Sequence, residues 1–260
     1  MILSFFLFQA FERYAVSANG QALGFACVAT VSGFDAIRIN PSALALNSKN
    51  IAGISYEYTF SHIEGLHNVY VGFARQVFNG GLGIGISEFG FEEEKEQALT
   101  VAYSVKLTKE FFVGAGSDIY LIQNKRTGTG LTYGLNIGLL GNLSKKWFLG
   151  VYGHNLNNPE FGNTEEGILP FSLQAGIGYK PFSDISSEFD LSIVDNNIKL
   201  HTGSEFAIMD FFTVGVGMQT NPNTISFGFG IFYRAIKINY GCSYLADMPL
   251  NHIVSISSQF

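Results

Sequence analysis

From Asn50 to the carboxy terminus the chain alternates apolar and polar positions with a period of two. Ile54, Tyr56, Tyr58 and Phe60 are interleaved with Ser55, Glu57 and Thr59. Leu99, Val101, Tyr103, Val105 and Leu107 face away from Thr100, Ala102, Ser104 and Lys106. The final stretch repeats the pattern, with Val254, Ile256 and Phe260 on one side and Ser255, Ser257 and Gln259 on the other. Such alternation marks a β-strand with one apolar and one polar face. About 14 such stretches follow one another, the first near residues 54–60 and the last at 252–260, and most approach the ~9–11 residues with which a tilted strand crosses a bilayer. An even number is what a closed antiparallel barrel needs. Taken alone, the last strand suits a soluble β-sandwich equally well.

The connections and the composition decide between the two. With the end near the termini taken as periplasmic, short turns fall there, at 79–81, 108–109, 143–145, 209–210 and 234, with one longer turn at 181–187. Longer polar loops, at 92–96, 124–130, 156–169 and 246–251, fall at the other end. That sorting is the outer-membrane pattern. Only 14% of residues are charged, against the usual share of about 25%. No apolar run of about 18 residues occurs after the first dozen, so no helical span is available. A barrel reconciles these facts by turning its Leu, Ile, Val, Phe and Tyr to lipid and its Gly, Ser, Thr and Asn inward. The net charge of −6 offers no basic footprint for nucleic acid. Cys27 and Cys242 form no metal spacing, and their pairing is open.

The N-terminal part behaves differently. Ile2 to Ala10 is a short apolar run without a preceding Lys or Arg, and Val16-Ser17-Ala18 suits a signal-peptidase cut. Residues 1–18 are therefore expected to be a partial or atypical signal segment. Residues 19–50 are rich in small side chains and do not alternate. They are expected to form a plug, and residues 51–260 the barrel.

Within that plug the sequence runs Gln21-Ala-Leu-Gly-Phe-Ala-Cys-Val-Ala29, then Asp35-Ala36, then Asn40-Pro41-Ser42-Ala43-Leu44. Ala22, Leu23, Gly24, Asp35, Asn40 and Pro41 match the opening motif of fatty-acid-transporter-like (FadL-type) outer-membrane barrels and the related PorV/PorQ group. The segment resembles the hatch that folds into the lumen of those barrels, although Ala26-Cys27 replaces a glycine pair. A second resemblance joins Asn155-Leu156 to Leu169-Pro170, Gly176, Tyr179 and Pro181, as in PorV/PorQ-like barrels. Leu250-Asn-His252 resembles the ending of the same group. The resemblance implies an all-β transmembrane antiparallel barrel of about 14 strands, in the bacterial outer membrane, with an N-terminal hatch inside the lumen. The partners it implies are outer-membrane lipid and, at chain length closer to PorV/PorQ, proteins of a type IX-like secretion or envelope complex. The alternative is passive transport of small hydrophobic molecules such as long-chain fatty acids, with a hydrophobic ligand in the lumen.

Chemical motifs are otherwise absent. The chain has no recognisable nucleophile–His–acid set, no phosphate-binding glycine loop and no zinc spacing, so neither an enzyme nor a metal or cofactor is expected. Lys199, His201 and Glu205 share the inward face of one strand. Four-residue spacing separates His201 from Glu205 by about 13 Å, too far for shared catalysis. With Glu57, Lys106 and Lys237 they are candidates for a polar lumen lining. Asp35 and Arg38 are the expected polar anchors of the hatch, and Asn40-Pro41 is expected near the wall where the chain enters the first strand. The Glu92-Glu93-Glu94 run reads as a solvated loop rather than a metal site.

Overall fold

A computed structural model describes residue 11 and residues 17–58, 65–126, 128–162, 167–195, 197–246 and 248–260. The apolar run at 2–10, Val16, Thr59 and Phe60 lie outside them. Fourteen antiparallel strands form one closed barrel, in which each strand pairs with its sequence neighbours and the first pairs with the last. They are β1 (Ile51–Tyr58), β2 (His67–Val77), β3 (Gly80–Gly90), β4 (Glu94–Lys106), β5 (Phe111–Asn124), β6 (Gly128–Asn142) and β7 (Trp147–His154). The remainder are β8 (Ser172–Phe182), β9 (Ile185–Val194), β10 (Asn197–Met209), β11 (Phe212–Gln219), β12 (Thr224–Tyr233), β13 (Ile236–Leu245) and β14 (Asn251–Gln259).

The side-chain faces follow the alternation. Ile54, Tyr56 and Tyr58 are exposed on the outer surface while Ser55 and Glu57 are buried inside. Val254 and Ile256 point out and Ser255 points in. With lipid outside, this apolar surface is not a liability but the barrel's solvent contact. Most exposed outward positions of the strands carry such side chains, and no helix among the described residues is long and apolar enough to cross a membrane.

The strand ends differ in detail from the expectation. The turn expected at 79–81 is Phe78-Asn79, because Gly80 and Gly81 already pair with Val105 and Ser104 of β4. The residues that would form a longer turn at 181–187 are mostly strand. Pro181 lies within β8 at a bulge between Tyr179 and Phe182, leaving two residues to connect β8 to β9. Proline lacks the N–H of a regular ladder, and a bulge near a strand end accommodates it. Glu94 to Glu96 belong to β4, so that the acidic loop is only three residues long.

Closure rests on β14. Its residues pair in register with β1 from Ile51↔Gln259 to Tyr58↔His252, and with β13 from Ile236↔Ser258 to Ser243↔Asn251. Beyond the strand, the N–H of Phe260 donates to Asn50 (2.9 Å) and the N–H of Asn50 to Phe260 (3.0 Å). Removing residues 251–260 would leave both neighbouring edges unpaired in hydrocarbon, which cannot solvate them. The truncated chain is expected to lose the heat-modifiable band of a folded barrel on gels of isolated outer membranes.

Candidate functional site

The segment before β1 fills the lumen. Ser17 caps helix α1 (Ala18–Ala22) by accepting the Gly20 N–H (3.0 Å), and its hydroxyl donates to Asp35 Oδ2 (2.7 Å). Helix α1 packs on β11 to β14. The chain then passes β10, crosses β7 to β9 at residues 27–30, and returns to β1 and β2 at Phe34, which stacks on Tyr70 (5.7 Å). Helix α2 (Ala36–Ile39) and the 3-10 turn Pro41–Leu46 then run along the inside of β2 to β6. The hatch thus meets the wall all the way round.

Glycine makes this fit possible. A methyl group on Gly150 of β7 would stand 2.3 Å from the Val28 carbonyl oxygen, and one on Gly217 of β11 2.1 Å from the Leu23 carbonyl carbon. At Gly241 of β13 the distance to the Ala18 oxygen would be 2.3 Å, and at Gly81 of β3 it would be 2.2 Å to the Leu44 oxygen. These glycines are inward-facing positions at which only a missing side chain leaves room for hatch backbone. Of the four glycines expected to make that room, Gly83 receives Ile37 and Leu44, Gly178 receives Thr30, and Gly176 receives first the wall carboxylate Asp190 and then Val28. Gly85 instead faces the ring of the wall residue Tyr70.

Wall side chains hold the hatch in place. Asp190 Oδ2 on β9 accepts the N–H groups of Cys27 (3.0 Å) and Val28 (3.1 Å) and the amide of Gln174 (2.8 Å). Glu188, two residues earlier, accepts the Ala29 N–H (2.5 Å) and the Thr30 hydroxyl (2.5 Å). Gln174 also donates to the Phe25 oxygen (3.0 Å). His201 bridges the Gly24 oxygen (2.8 Å) and Ser192 of the neighbouring strand (2.9 Å). Asn40 reaches out from the hatch, donating to its own Val28 oxygen (2.8 Å) and to Leu139 of β6 (3.1 Å).

The residues singled out from the sequence are thus spread over the lumen rather than gathered in one site. Asn40 and Pro41 do lie against the wall, but at β5 and β6 rather than at the entry to β1. Residues 41–46 must still cross the inside of β2 to β6 before the first strand begins. Arg38 is buried with its guanidinium over the Tyr70 ring (5.3 Å). Glu57 accepts from Asn68 (2.8 Å) and Asn251 (2.5 Å), and Asn251 in turn meets Gln21 of α1. Lys199 and Glu205 flank His201 along β10 and are half-buried. Lys106 stands exposed at the periplasmic end over Phe112 (5.9 Å), and Lys237 lies over Phe232 (4.7 Å).

Sequence reasoning missed a buried network above the hatch. Asp118 of β5 accepts from Thr100 (2.5 Å) and Asn136 (2.5 Å). The Tyr120 hydroxyl lies 2.9 Å from His154 Nε2 and donates to Asn155 Oδ1 (2.8 Å). Asn155 adopts a left-handed conformation (φ 56°), donates its backbone N–H to Asn136 Oδ1 (3.0 Å), and donates its side-chain amide to the Pro170 oxygen (3.0 Å). The loop that follows β7 is thereby folded inward. Its Phe161 and Leu169 meet Tyr120, Ala98 and Phe11 in an apolar cluster inside the barrel. Phe11 lies with its ring 4.7 Å from that of Tyr120 and 6.0 Å from that of Phe161. Its N–H donates to Glu96 (2.7 Å). The signal for this network was available: Asp118, Glu188 and Asp190 are carboxylates at inward positions in mid-strand, where a charge needs a dedicated partner. At the outer loops, Lys125 bonds Glu92 (2.8 Å) and Glu93 (3.1 Å). Those bonds hold the Glu92 carboxyl below, and the Lys125 ammonium above, their ordinary ranges.

No family model matches the sequence, and no curated protein matches it. Solved structures do. The toluene transporter TodX of Pseudomonas putida superimposes with a TM-score of 0.73 at 12% identity, covering 94% of this chain and 98% of that one. The Ralstonia pickettii toluene transporter TbuX gives 0.74 at 11%, covering 96% and 100%. A Pseudomonas aeruginosa FadL homologue gives 0.67 at 11%, covering 94% and 98%. The protein has the fold of these proteins: a 14-stranded barrel of the bacterial outer membrane with a lumenal hatch.

The anchoring carboxylates generate a prediction. Replacing Asp190 by Ala leaves the Cys27 and Val28 N–H groups buried without their acceptor, at about 1–3 kcal/mol for each. In a Cys242→Ala background, Asp190→Ala is expected to make the buried Cys27 react with maleimide under native conditions while the barrel stays heat-modifiable. Protection of Cys27 equal to that in the parent would show that Asp190 does not hold the hatch.

Proposed function

We infer that the protein is a passive outer-membrane channel for small hydrophobic molecules. The observation that carries this reading is a second apolar cluster inside the lumen, of Ala98, Tyr120, Phe161 and Leu169, set apart from the apolar core that the hatch forms with the wall. A barrel interior facing water has no reason to gather such side chains, whereas an apolar solute gains by leaving water for them. The Phe11 ring is packed among them, so this cluster is one that an aromatic ring fits. The likeness in fold to channels described as toluene transporters, and to one described as a monoaromatic hydrocarbon channel, supports small hydrocarbons as the solute class.

Service in a PorV/PorQ-type secretion or envelope complex has weaker support. The motif that suggested it, Asn155-Leu156 with Leu169-Pro170, is accounted for by the Asn155–Pro170 clamp that folds the loop into the lumen. The candidate lumen residues fit a scaffold for the hatch more than a binding site, since Asn40, His201 and, through Asn251, Glu57 all hold hatch or neighbouring wall.

The test is flux. Expression in cells lacking other hydrocarbon channels is expected to raise toluene uptake, and Leu169→Arg, which puts a charge into the cluster, is expected to lower it by about tenfold or more. Equal uptake with and without the protein would refute transport of this class. Deleting residues 21–45 is expected to raise permeability to bulky antibiotics as well. A deletion that leaves flux unchanged but releases an envelope partner would favour the scaffold role.

A further inference from the structure

The charges at the two rims are arranged oppositely. At the periplasmic end, Lys49, Arg75, Lys109, Lys145, Lys146 and Arg234 are exposed on turns and strand ends. The acidic residues there are Glu110, Asp184 and Asp210. The excess is opposite in sign to the chain's net charge of −6. Among the described residues none of the six cations has a carboxylate within ion-pair distance. The lysine ion pairs lie at the other rim, Lys125 with Glu92 and Glu93, and Lys95 with Glu88.

Two of the six are seated on rings. Lys146 lies over Phe182 (5.9 Å) and Arg234 over Tyr233 (5.3 Å). Just inside the mouth, Lys180 lies over Phe148 (5.1 Å). Trp147 follows Lys145 and Lys146 directly and packs on Tyr179 (4.4 Å between centroids). A backbone bond from Lys180 N–H to the Lys146 oxygen (2.8 Å) brings the two strand ends together. An aromatic girdle places these side chains at the level of the lipid headgroups. A long cationic side chain there lays its stem on apolar surface and turns its charge to the interface.

We propose that this rim binds the phosphate of anionic phospholipids in the periplasmic leaflet, with the Lys145-Lys146-Trp147 corner as its principal seat. Cations that lack protein acids but sit at headgroup depth have their counter-charge supplied by the bilayer, and each adds to attraction for an anionic surface. A soluble acidic protein would reach the turn tips, but not cations laid against membrane-facing rings such as Phe182 and Tyr233. The proposal depends on the barrel's place in the outer membrane and not on what the lumen carries.

Trp147 is the chain's single tryptophan and is exposed on the outer wall, so it reports on the lipid beside this corner. The purified barrel would be reconstituted in vesicles containing phosphatidylglycerol or phosphatidylcholine with brominated chains, at equal mole fraction. Brominated phosphatidylglycerol is expected to quench Trp147 with a relative binding constant at least about twofold higher, and raising the salt should shrink that excess. Lys145→Gln with Lys146→Gln should bring the ratio to one, Lys145→Arg with Lys146→Arg should retain it, and Arg126→Gln at the other rim should leave it unchanged. Heat-modifiability confirms folding in each case. Equal quenching by the two lipids in the parent, or an excess that survives the double glutamine substitution, would overturn the proposal.

Discussion

Hydrocarbon cannot solvate a peptide group, and that constraint shapes every level of this molecule. Each strand must give its N–H and C=O groups to two neighbours, so the sheet has to close. Closure with fourteen strands leaves an interior wider than side chains projecting from the wall alone can fill. The hatch fills it, but a hatch has backbone polar groups of its own, and these need partners too. Asp190, Glu188, His201 and Gln174 supply them from the wall. The inward charges of an otherwise charge-poor chain are therefore largely a consequence of putting irregular backbone inside a barrel.

The same reasoning explains the distribution of glycine. In a strand interior glycine weakens the sheet and contributes no packing. Here the inward glycines at Gly81, Gly150, Gly217 and Gly241 mark where hatch backbone lies against the wall. Replacement by a larger residue would force a wall strand or the hatch to move, because the opposing atoms are backbone rather than the ends of flexible side chains. Hatch and wall have to be specified together, and the fit is local: α1 faces one set of glycines and the Pro41–Leu46 turn faces another.

Much of this was legible in the sequence, and for physical reasons. Alternation with a period of two over so many strands, joined to the sorting of short turns and long loops and the scarcity of charge, let the barrel, its strand number and its outward face be read from Ile54 to Phe260. Local turn chemistry was harder. Asn79-Gly80-Gly81 suggested a glycine turn, yet Phe78 takes the left-handed conformation (φ 52°) and both glycines join the ladder. The hatch could be recognised by its lack of alternation, but not its path. Nothing in Asn40-Pro41 says that it will face β6 rather than β1, because that depends on how far the preceding residues travel around the lumen. Least legible was the network of Asp118, Tyr120, His154 and Asn155. Its members come from two strands, β5 and β7, and the start of the loop after β7, and only the barrel brings them together.

Under the proposed channel function, the position of that network bears on which solutes the lumen would favour. Asp118 and its partners form a satisfied polar layer between the hatch and the cluster of Tyr120, Phe161 and Leu169. Tyr120 belongs to both, with its hydroxyl in the network and its ring in the cluster. Below the ring, Asp118, Asn136 and Asn155 bond one another and their neighbours, so a polar solute would gain little by displacing them. Beside the ring, an apolar solute gains the burial that water denies it. Discrimination of this kind needs no charged recognition group. It would follow from a phenol that presents its hydroxyl to the polar network and its ring to the apolar cluster.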